Sequence, residues 1–183
     1  MPISQINQNS LASGVPSSVA SSALPAGTVK QIQNTILTTG TFTSTSTSMT
    51  NITGMAVTIT PTSSSNKILL TISMTYAQQS NYNVAFQILR NGTPVGIGTS
   101  GTTGPNYSFI ASPAGTNTPS NCNWTYLDSP ATTSAVTYQI QMRQQLGGSG
   151  TFALNFANSY LNATADVYGG CYTSQITAQE IIA

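Results

Sequence analysis

Side chains able to carry out acid–base or metal chemistry are few in this 183-residue chain. Histidine is absent, and only seven residues are charged: Lys30, Lys67, Arg90, Arg143, Asp128, Asp166 and Glu180. The usual general base, catalytic-triad partner and zinc ligand is therefore missing. A glycosidase-type carboxylate pair needs an environment that raises one pKa, and a calcium site needs several clustered acidic residues, which the sequence does not show. We expect no enzymatic activity, no cofactor and no metal site, and we interpret Asp128 and Asp166 as polar turn residues.

Glu180 is the charged residue with the most unusual position in the sequence pattern. It follows the same alternation as Ile176 and Ile182, which places it on the apolar side of the last predicted strand. Because an unpaired buried carboxylate is costly, we expect Arg143, Lys67 or a subunit axis beside it. The alternative is a strand that has already left the core at residue 180.

Aromatic and amide side chains in predicted loops suit binding better than catalysis. A sugar ring packs its apolar face on an aromatic ring, and its hydroxyls hydrogen-bond to neutral amides. Five loop residues of these two types form a glycan-binding hypothesis: Asn81, Tyr82, Asn106, Tyr107 and Asn117. A position in the core or in an interface is the alternative for any single aromatic residue, including Trp124 and Tyr126, which share a strand face with Cys122.

The overall composition predicts a folded protein with a neutral surface. Hydrophobic residues make up 39% of the chain, while Ser, Thr, Asn and Gln together occupy 81 positions. A net charge of +1 gives no long-range attraction to nucleic-acid phosphates, so we expect no nucleic-acid partner. Weak repulsion between copies favours an oligomer. The two cysteines, Cys122 and Cys171, are interpreted as buried free thiols in preference to a bridge.

From Gly27 onward, apolar residues alternate with a period of two, which predicts strands and no helix. The strands are expected at 55–60, 68–76, 84–88, 136–142, 152–156 and 172–182, with shorter ones near 29–37, 41–48, 107–111 and 122–127. Asn91–Gly92 predicts a two-residue hairpin, and Pro94 makes the following strand an edge strand. We predict an all-β protein whose residues 27–183 form an antiparallel jelly-roll sandwich.

Residues 1–26 differ from this pattern and are predicted to form an extended attachment arm. Pro16 and Pro25 interrupt any long helix, and the apolar residues fit no heptad. Spaced along the arm are six apolar residues that we interpret as anchors: Ile3, Ile6, Leu11, Val15, Val19 and Leu24. They need a surface on a sister subunit or on a different protein. The arm has neither a basic nor a long apolar segment, so we expect no signal peptide and no membrane insertion.

Three segments carry a family resemblance: the leader Ile3-Ser-Gln-Ile-Asn-Gln-Asn-Ser-Leu-Ala-Ser-Gly14, the step Leu24-Pro-Ala-Gly-Thr-Val-Lys30, and the last strand Ser174-Gln-Ile-Thr-Ala-Gln-Glu-Ile181. With them the whole chain resembles small virion proteins of tailed bacteriophages, of the short-fibre and head-decoration type. Such proteins commonly end in a trimeric jelly roll similar to the tumour-necrosis-factor-like fold. The resemblance implies a homotrimer located in the virion, whose arm docks on another virion protein of the capsid, neck or tail.

Two structural roles follow from this resemblance. A fibre would use its distal loops to hold host surface polysaccharide, whereas a capsid cement protein would stabilise the shell without binding a receptor. A free-standing lectin is a third alternative, which the N-terminal arm does not favour.

Overall fold

The computed structural model describes residues 24–40, 42–99, 105–115, 118–145, 150–156 and 171–183. Within these ranges the chain forms strands and no helix, which confirms the all-β prediction. The strands are β1 Val29–Leu37, β2 Thr43–Ser44, β3 Thr50–Ile59, β4 Lys67–Gln78, β5 Val84–Arg90, β6 Thr93–Val95, β7 Phe109–Ala111, β8 Ser120–Asp128, β9 Val136–Gln144, β10 Phe152–Leu154 and β11 Ser174–Ile181.

Three positions in the two sheets are each filled by two short strands that lie end to end. β10 and β11 both run antiparallel to β4, at its residues 76–78 and 67–73 respectively. β1 and β2 pair with β11 and β10 in the same way. β6 and β7 both pair with one edge of β5, at residues 88–90 and 84–86. The eleven strands therefore occupy eight positions.

These eight positions have the order of a jelly roll. We number them along the chain as β1/β2, β3, β4, β5, β6/β7, β8, β9 and β10/β11. The first sheet contains the first, eighth, third and sixth positions, and the second sheet contains the second, seventh, fourth and fifth. All strand pairs are antiparallel, and two four-position sheets connected as Greek keys make a jelly-roll sandwich. The predicted fold is confirmed.

Inward-facing side chains of the two sheets meet in one apolar core, in which aromatic rings are stacked. The Tyr76 and Phe152 ring centroids lie 5.6 Å apart, and those of Phe86 and Phe109 lie 4.9 Å apart. Trp124 stacks on Phe109 at 5.4 Å and closes one side of the sandwich. Such pairs each contribute about 0.5–1.5 kcal/mol beyond the burial of their surface. Trp124 therefore belongs to the core margin, the alternative considered for it above.

The hairpin predicted at Asn91–Gly92 is present. Arg90 pairs with Thr93 across the turn, and the two turn residues have φ values of 48° and 85°. Positive φ at both central positions matches the twist of the flanking strands, and the Asn–Gly pair tolerates it at little steric cost. Pro94 lies in β6, which is an edge strand as predicted.

The strand predicted near residues 41–48 is much shorter than expected. Only Thr43 and Ser44 pair in the sheet, and Thr41 lies outside the described residues. The backbone N–H of Ser46 donates to Ser44 Oγ, and that of Ser48 donates to Ser46 Oγ, both at 3.1 Å. Such local hydroxyl bonds compete with the strand ladder and turn the chain instead.

A buried serine closes the sheet at two of the places where one strand gives way to another. Ser108 Oγ accepts from the Ile88 N–H at 3.0 Å and donates to the Val95 carbonyl at 3.0 Å, between β6 and β7. Ser174 Oγ accepts from the Thr75 N–H at 3.1 Å and donates to Asn155 Oδ1 at 2.6 Å, between β10 and β11. Each hydroxyl gives the neighbouring strand the acceptor that an uninterrupted backbone would supply.

We expect Ser174→Ala to lower the free energy of unfolding by about 1–3 kcal/mol, because it leaves a buried N–H and a buried amide oxygen unpaired. Urea denaturation of the full chain measures this change. Ser134→Ala removes a hydroxyl from an exposed turn and serves as the matched control. Equal stability losses for the two variants would show that Ser174 does not close the ladder.

Candidate functional site

The connections between strands gather at two opposite ends of the sandwich. At the N-terminal end lie residues 24–28, 60–66, 91–92 and 129–135. At the distal end lie the described parts of four connections, residues 45–49, 79–83, 112–115 with 118–119, and 145 with 150–151. The chain joins the sheet at the N-terminal end, where the Gly27 N–H donates to the Ile182 carbonyl at 2.8 Å. Residues 24–28 therefore lie at the end of the sandwich opposite to the distal connections.

The predicted arm lies almost wholly outside the described residues. Among its six anchors only Leu24 is described, and it is half-buried beside the start of β1. The other five anchors stay predictions: Ile3, Ile6, Leu11, Val15 and Val19.

A cleft of about 380 Å³ lies on the outer face of the second sheet, close to the distal end. Its walls combine an aromatic ring, a guanidinium group, amides and small apolar side chains: Asn83, Ala85, Tyr107, Ile110, Arg143 and Gln145. This volume falls in the range of about 300–1,000 Å³ that is usual for small-molecule sites. A mixed lining of this kind is suited to a polar ligand with one apolar face.

Arg143 and Tyr107 form the polar centre of this cleft. The guanidinium carbon of Arg143 lies 5.8 Å from the centroid of the Tyr107 ring, within the range of a cation–π contact. Arg143 Nε donates to the Gln144 carbonyl at 3.3 Å. In the part of the chain that the structure describes, neither terminal NH₂ group of Arg143 has a hydrogen-bond or ion-pair partner. They are available to an acceptor in the cleft.

Strand pairing sets the geometry of the cleft. Ala85 on β5 lies directly opposite Arg143 on β9, and its small side chain leaves space beside the guanidinium. Beyond this pair the Gln145 N–H donates to the Asn83 carbonyl at 3.1 Å, which continues the ladder past the strand ends. Ser112 Oγ donates to Asn83 Oδ1 at 2.7 Å. The side-chain nitrogen Nδ2 of Asn83 has no hydrogen-bond partner among the described residues.

The structure does not bring the five residues of the glycan-binding hypothesis together in one site. Asn81 and Tyr82 lie in the distal connection 79–83 and are exposed. Asn106 and Tyr107 lie between β6 and β7, where Tyr107 lines the cleft. Asn117 lies outside the described residues. Two cleft residues of the right chemistry were not in the hypothesis: Asn83 and Arg143. The outward position of Arg143 between buried Met142 and Gln144 is the sequence signal that could have indicated its exposure.

Glu180 is fully buried, with 0% of its surface exposed, so the strand has not left the core there. The expectation of Arg143 or Lys67 beside it is wrong among the described residues, because neutral donors surround the carboxylate. Its oxygen Oε1 accepts from Thr62 N (2.6 Å), Thr62 Oγ1 (2.8 Å) and Asn66 Nδ2 (2.7 Å). Its oxygen Oε2 accepts from Gln31 Nε2 at 2.6 Å.

These donors decide the protonation state of Glu180. Burial raises the pKa of its carboxyl, but the hydrogen bonds from Asn66, Gln31 and Thr62 together outweigh burial and hold the pKa below its ordinary value. Arg143 cannot take part, because it lies toward the distal end whereas Glu180 pairs with Ile68 near the N-terminal end.

Asp128 is also misplaced by the sequence interpretation. It is the last residue of β8 and is buried, not an exposed turn residue. Arg90 Nη1 donates to both of its oxygens at 3.0 Å, and the Tyr138 hydroxyl donates to Oδ2 at 2.7 Å. Burial and the hydrogen bond to Asp128 raise the pKa of Tyr138 well above its ordinary value. This group is a structural clamp between the two sheets. Asp166 lies outside the described residues.

Both cysteines are free thiols, as preferred from the sequence, but only Cys122 is buried and Cys171 is exposed. Burial raises the pKa of the Cys122 thiol to about 11, so it stays protonated and unreactive at neutral pH.

Among the described residues, no three side chains of the types His, Cys, Asp and Glu come together as a metal site. A search of the same residues finds no helix with the length and apolar character of a membrane span.

Comparisons with known proteins do not assign a family. No family model and no curated protein matches the chain. Similar solved structures include T=1 particles derived from infectious bursal virus, with a TM-score of 0.42, 13% identity and 85% of this chain covered. The Gx and Gt strain structures of infectious bursal disease virus give TM-scores of 0.36 and 0.39 at 12% identity, covering 85% and 84% of this chain. The chain spans only 37–39% of the length of those chains, and likenesses this low support no argument about function.

Proposed function

We propose that this chain is a non-enzymatic structural protein of a bacteriophage virion, a fibre or head-decoration component anchored by its N-terminal arm. The observation that carries this proposal is that the two ends of the domain differ. The chain joins the jelly roll at one end, while the exposed distal connection and the cleft lie toward the opposite end. A domain built in this way can be held at one end and present a binding surface at the other.

The distribution of charge supports an assembling protein. Of the three carboxylates, Asp128 and Glu180 are both buried in hydrogen-bonded clamps, so the described surface carries no exposed acidic side chain. The outer face of the first sheet presents aliphatic side chains beside hydroxyls and amides, among them Ile32, Ile36 and Leu127, of which Ile36 is 57% exposed. Apart from Lys67 at its N-terminal end, this face presents few charges and is suited to packing against another subunit, in line with the homotrimer that the resemblance implies.

We favour a fibre that adheres to host surface polysaccharide over a capsid cement protein. Tyr107 and the amides around the cleft provide the aromatic and neutral hydrogen-bonding groups that sugars require, and they lie away from the attachment end. A cement protein would need no such cleft. The position of the chain in a density map of the assembled particle separates the two roles, because fibre and shell positions exclude each other.

Deletion of residues 1–26 tests the attachment arm. We expect the shortened chain to remain a soluble, folded oligomer that no longer joins particles lacking the native protein, because the core begins after the arm. Sedimentation with the particles measures attachment, and circular dichroism measures folding. A full-length variant with Ile3 and Ile6 replaced by serine is the control, and it should attach more weakly without any change in folding. A shortened chain that fails to fold would show that the arm belongs to the core.

A further inference from the structure

We propose that the cleft at Arg143 and Tyr107 binds the carboxylate of an acidic sugar residue in a host-surface polysaccharide. This inference rests on the adhesive role given under the proposed function and names the chemical class of its ligand. It comes from the cleft in which a cation, an aromatic ring and amides lie side by side.

The Arg143 guanidinium group is oriented by two contacts and keeps unused hydrogen-bond donors. A guanidinium group is planar and presents parallel N–H donors that match the two oxygens of a carboxylate. Here Nε is used by the Gln144 carbonyl at 3.3 Å and the Tyr107 ring flanks the group at 5.8 Å, so two contacts restrict its orientation. The terminal NH₂ groups have no described partner. A guanidinium group that is already oriented loses little conformational entropy when it binds a carboxylate.

The charge balance of the cleft selects the kind of anion. Arg143 is the single cation among the residues that line it, and the other polar side chains are neutral amides and the Tyr107 phenol. One positive charge is neutralised by a monoanion such as a carboxylate, whereas a phosphate monoester carries a charge of about −1.5 to −2 at neutral pH and needs more than one cation. Asp128 and Glu180, the described carboxylates, are held elsewhere in the fold and do not compete for Arg143.

The remaining walls suit the sugar ring that carries the carboxylate. Ile110 on β7 is 60% exposed at the edge of the cleft, and Ala85 forms part of its apolar lining. Asn83 Nδ2 has no described partner and can donate to a ring hydroxyl. An apolar face with hydroxyls at its rim is the shape of a pyranose, so the cleft offers one complementary group for each part of an acidic sugar.

Calorimetric titration of the full chain tests the proposal with two probes. One is an oligosaccharide that contains glucuronic acid, and the other is the same oligosaccharide after its carboxylates have been reduced to alcohols. We expect the native chain to bind the acidic probe about 10- to 100-fold more tightly, the effect of a charged hydrogen-bonded pair. Arg143→Gln should abolish this preference, so that the variant binds the acidic and the reduced probe with similar, weak affinity.

Lys67→Gln is the matched control, since it removes the same charge from an exposed position near the N-terminal end. It should leave the preference intact, and equal losses in the two variants would mean a nonspecific charge effect and overturn the proposal. Equal binding of both probes by the native chain would also overturn it, yet would leave adhesion to neutral glycans standing. Binding of neither probe would overturn both the cleft proposal and the adhesive role, whereas attachment to the particle is decided separately by the arm deletion. Stronger competition by inorganic phosphate than by glucuronate would overturn the choice of a carboxylate.

Discussion

Replacement of Glu180 by alanine should lower the free energy of unfolding by about 2–4 kcal/mol, a loss of roughly 30- to 1,000-fold in the ratio of folded to unfolded chain. The carboxylate is fully buried and accepts four hydrogen bonds from three residues: Gln31, Thr62 and Asn66. Its removal leaves the N–H and the hydroxyl of Thr62 without an acceptor, takes one of two acceptors from each of the Gln31 and Asn66 amides, and loosens the connection between β3 and β4 from the last strand. Urea denaturation followed by circular dichroism measures the change.

The pH dependence gives a second measure of the same clamp. Because the pKa of Glu180 is lowered in the folded chain, its contribution to stability is complete above the ordinary carboxyl pKa of about 4.3 and disappears as the pH falls through the lowered value. Glu180→Gln should therefore flatten the acid limb of the stability curve and cost less than alanine at neutral pH. Gln179→Ala, at the neighbouring outward-facing position, is the control and should change neither quantity by more than about 0.5 kcal/mol. An unchanged acid limb in Glu180→Gln would contradict the assignment.

Removal of the Asp128 carboxylate should be about as costly, again about 2–4 kcal/mol in the free energy of unfolding. Asp128→Ala leaves the Arg90 guanidinium without its ion-pair partner and the buried Tyr138 hydroxyl without its acceptor. Because β8 and β9 belong to different sheets, the variant also loses a polar connection across the sandwich. Guanidinium chloride denaturation at fixed pH measures the loss.

A double-mutant cycle separates the two contacts of Asp128. Tyr138→Phe alone should cost about 1 kcal/mol, the usual net value of one hydrogen bond. Combined with Asp128→Ala it should add almost nothing, because the hydroxyl has then already lost its acceptor. Costs that simply add would show that Tyr138 and Asp128 do not interact in solution.

The features predicted correctly are those encoded by neighbouring residues. The two-residue alternation places β4, β5 and β9 because one face of each strand is buried, and it identifies the inward position of Glu180. Asn91–Gly92 specifies its hairpin through the φ angles of two adjacent residues. Such information is local, so reading along the chain is enough to find it.

The hydrogen-bond partners of the buried charged residues could not be predicted from local sequence patterns. Glu180 bonds to Gln31 and Asn66, which are 149 and 114 residues away along the chain. Glutamine and asparagine are common in this sequence, and no residue pattern marks the two that reach the carboxylate. The search for a cation failed for a physical reason, since four well-placed neutral dipoles can hold a carboxylate as well as one opposite charge can.

The candidate site was predicted only in part, because some of its residues also come together through contacts that are distant along the chain. Tyr107 could be proposed from its type and from its position in a loop. The approach of Arg143 and Asn83 depends on the pairing of β5 with β9, in which Ala85 faces Arg143. Ala85 and Arg143 are 58 residues apart along the chain (143 − 85), and their register is set by the whole sandwich, so the cleft emerges only once the sheets are assembled.

The interrupted strands have a consequence for how this protein can change over time. The segment between β6 and β7 is closed at its base by a hydrogen bond from the Gly98 N–H to the Tyr107 carbonyl at 3.1 Å, with Ser108 behind it. The segment between β10 and β11 is closed by the bridge from Phe156 to Cys171. Since doubling the length of a closed loop costs only about 0.6 kcal/mol, both segments can gain or lose residues while the core stays intact. They are therefore places where residues could be exchanged, or a foreign peptide inserted for display, without redesigning the fold.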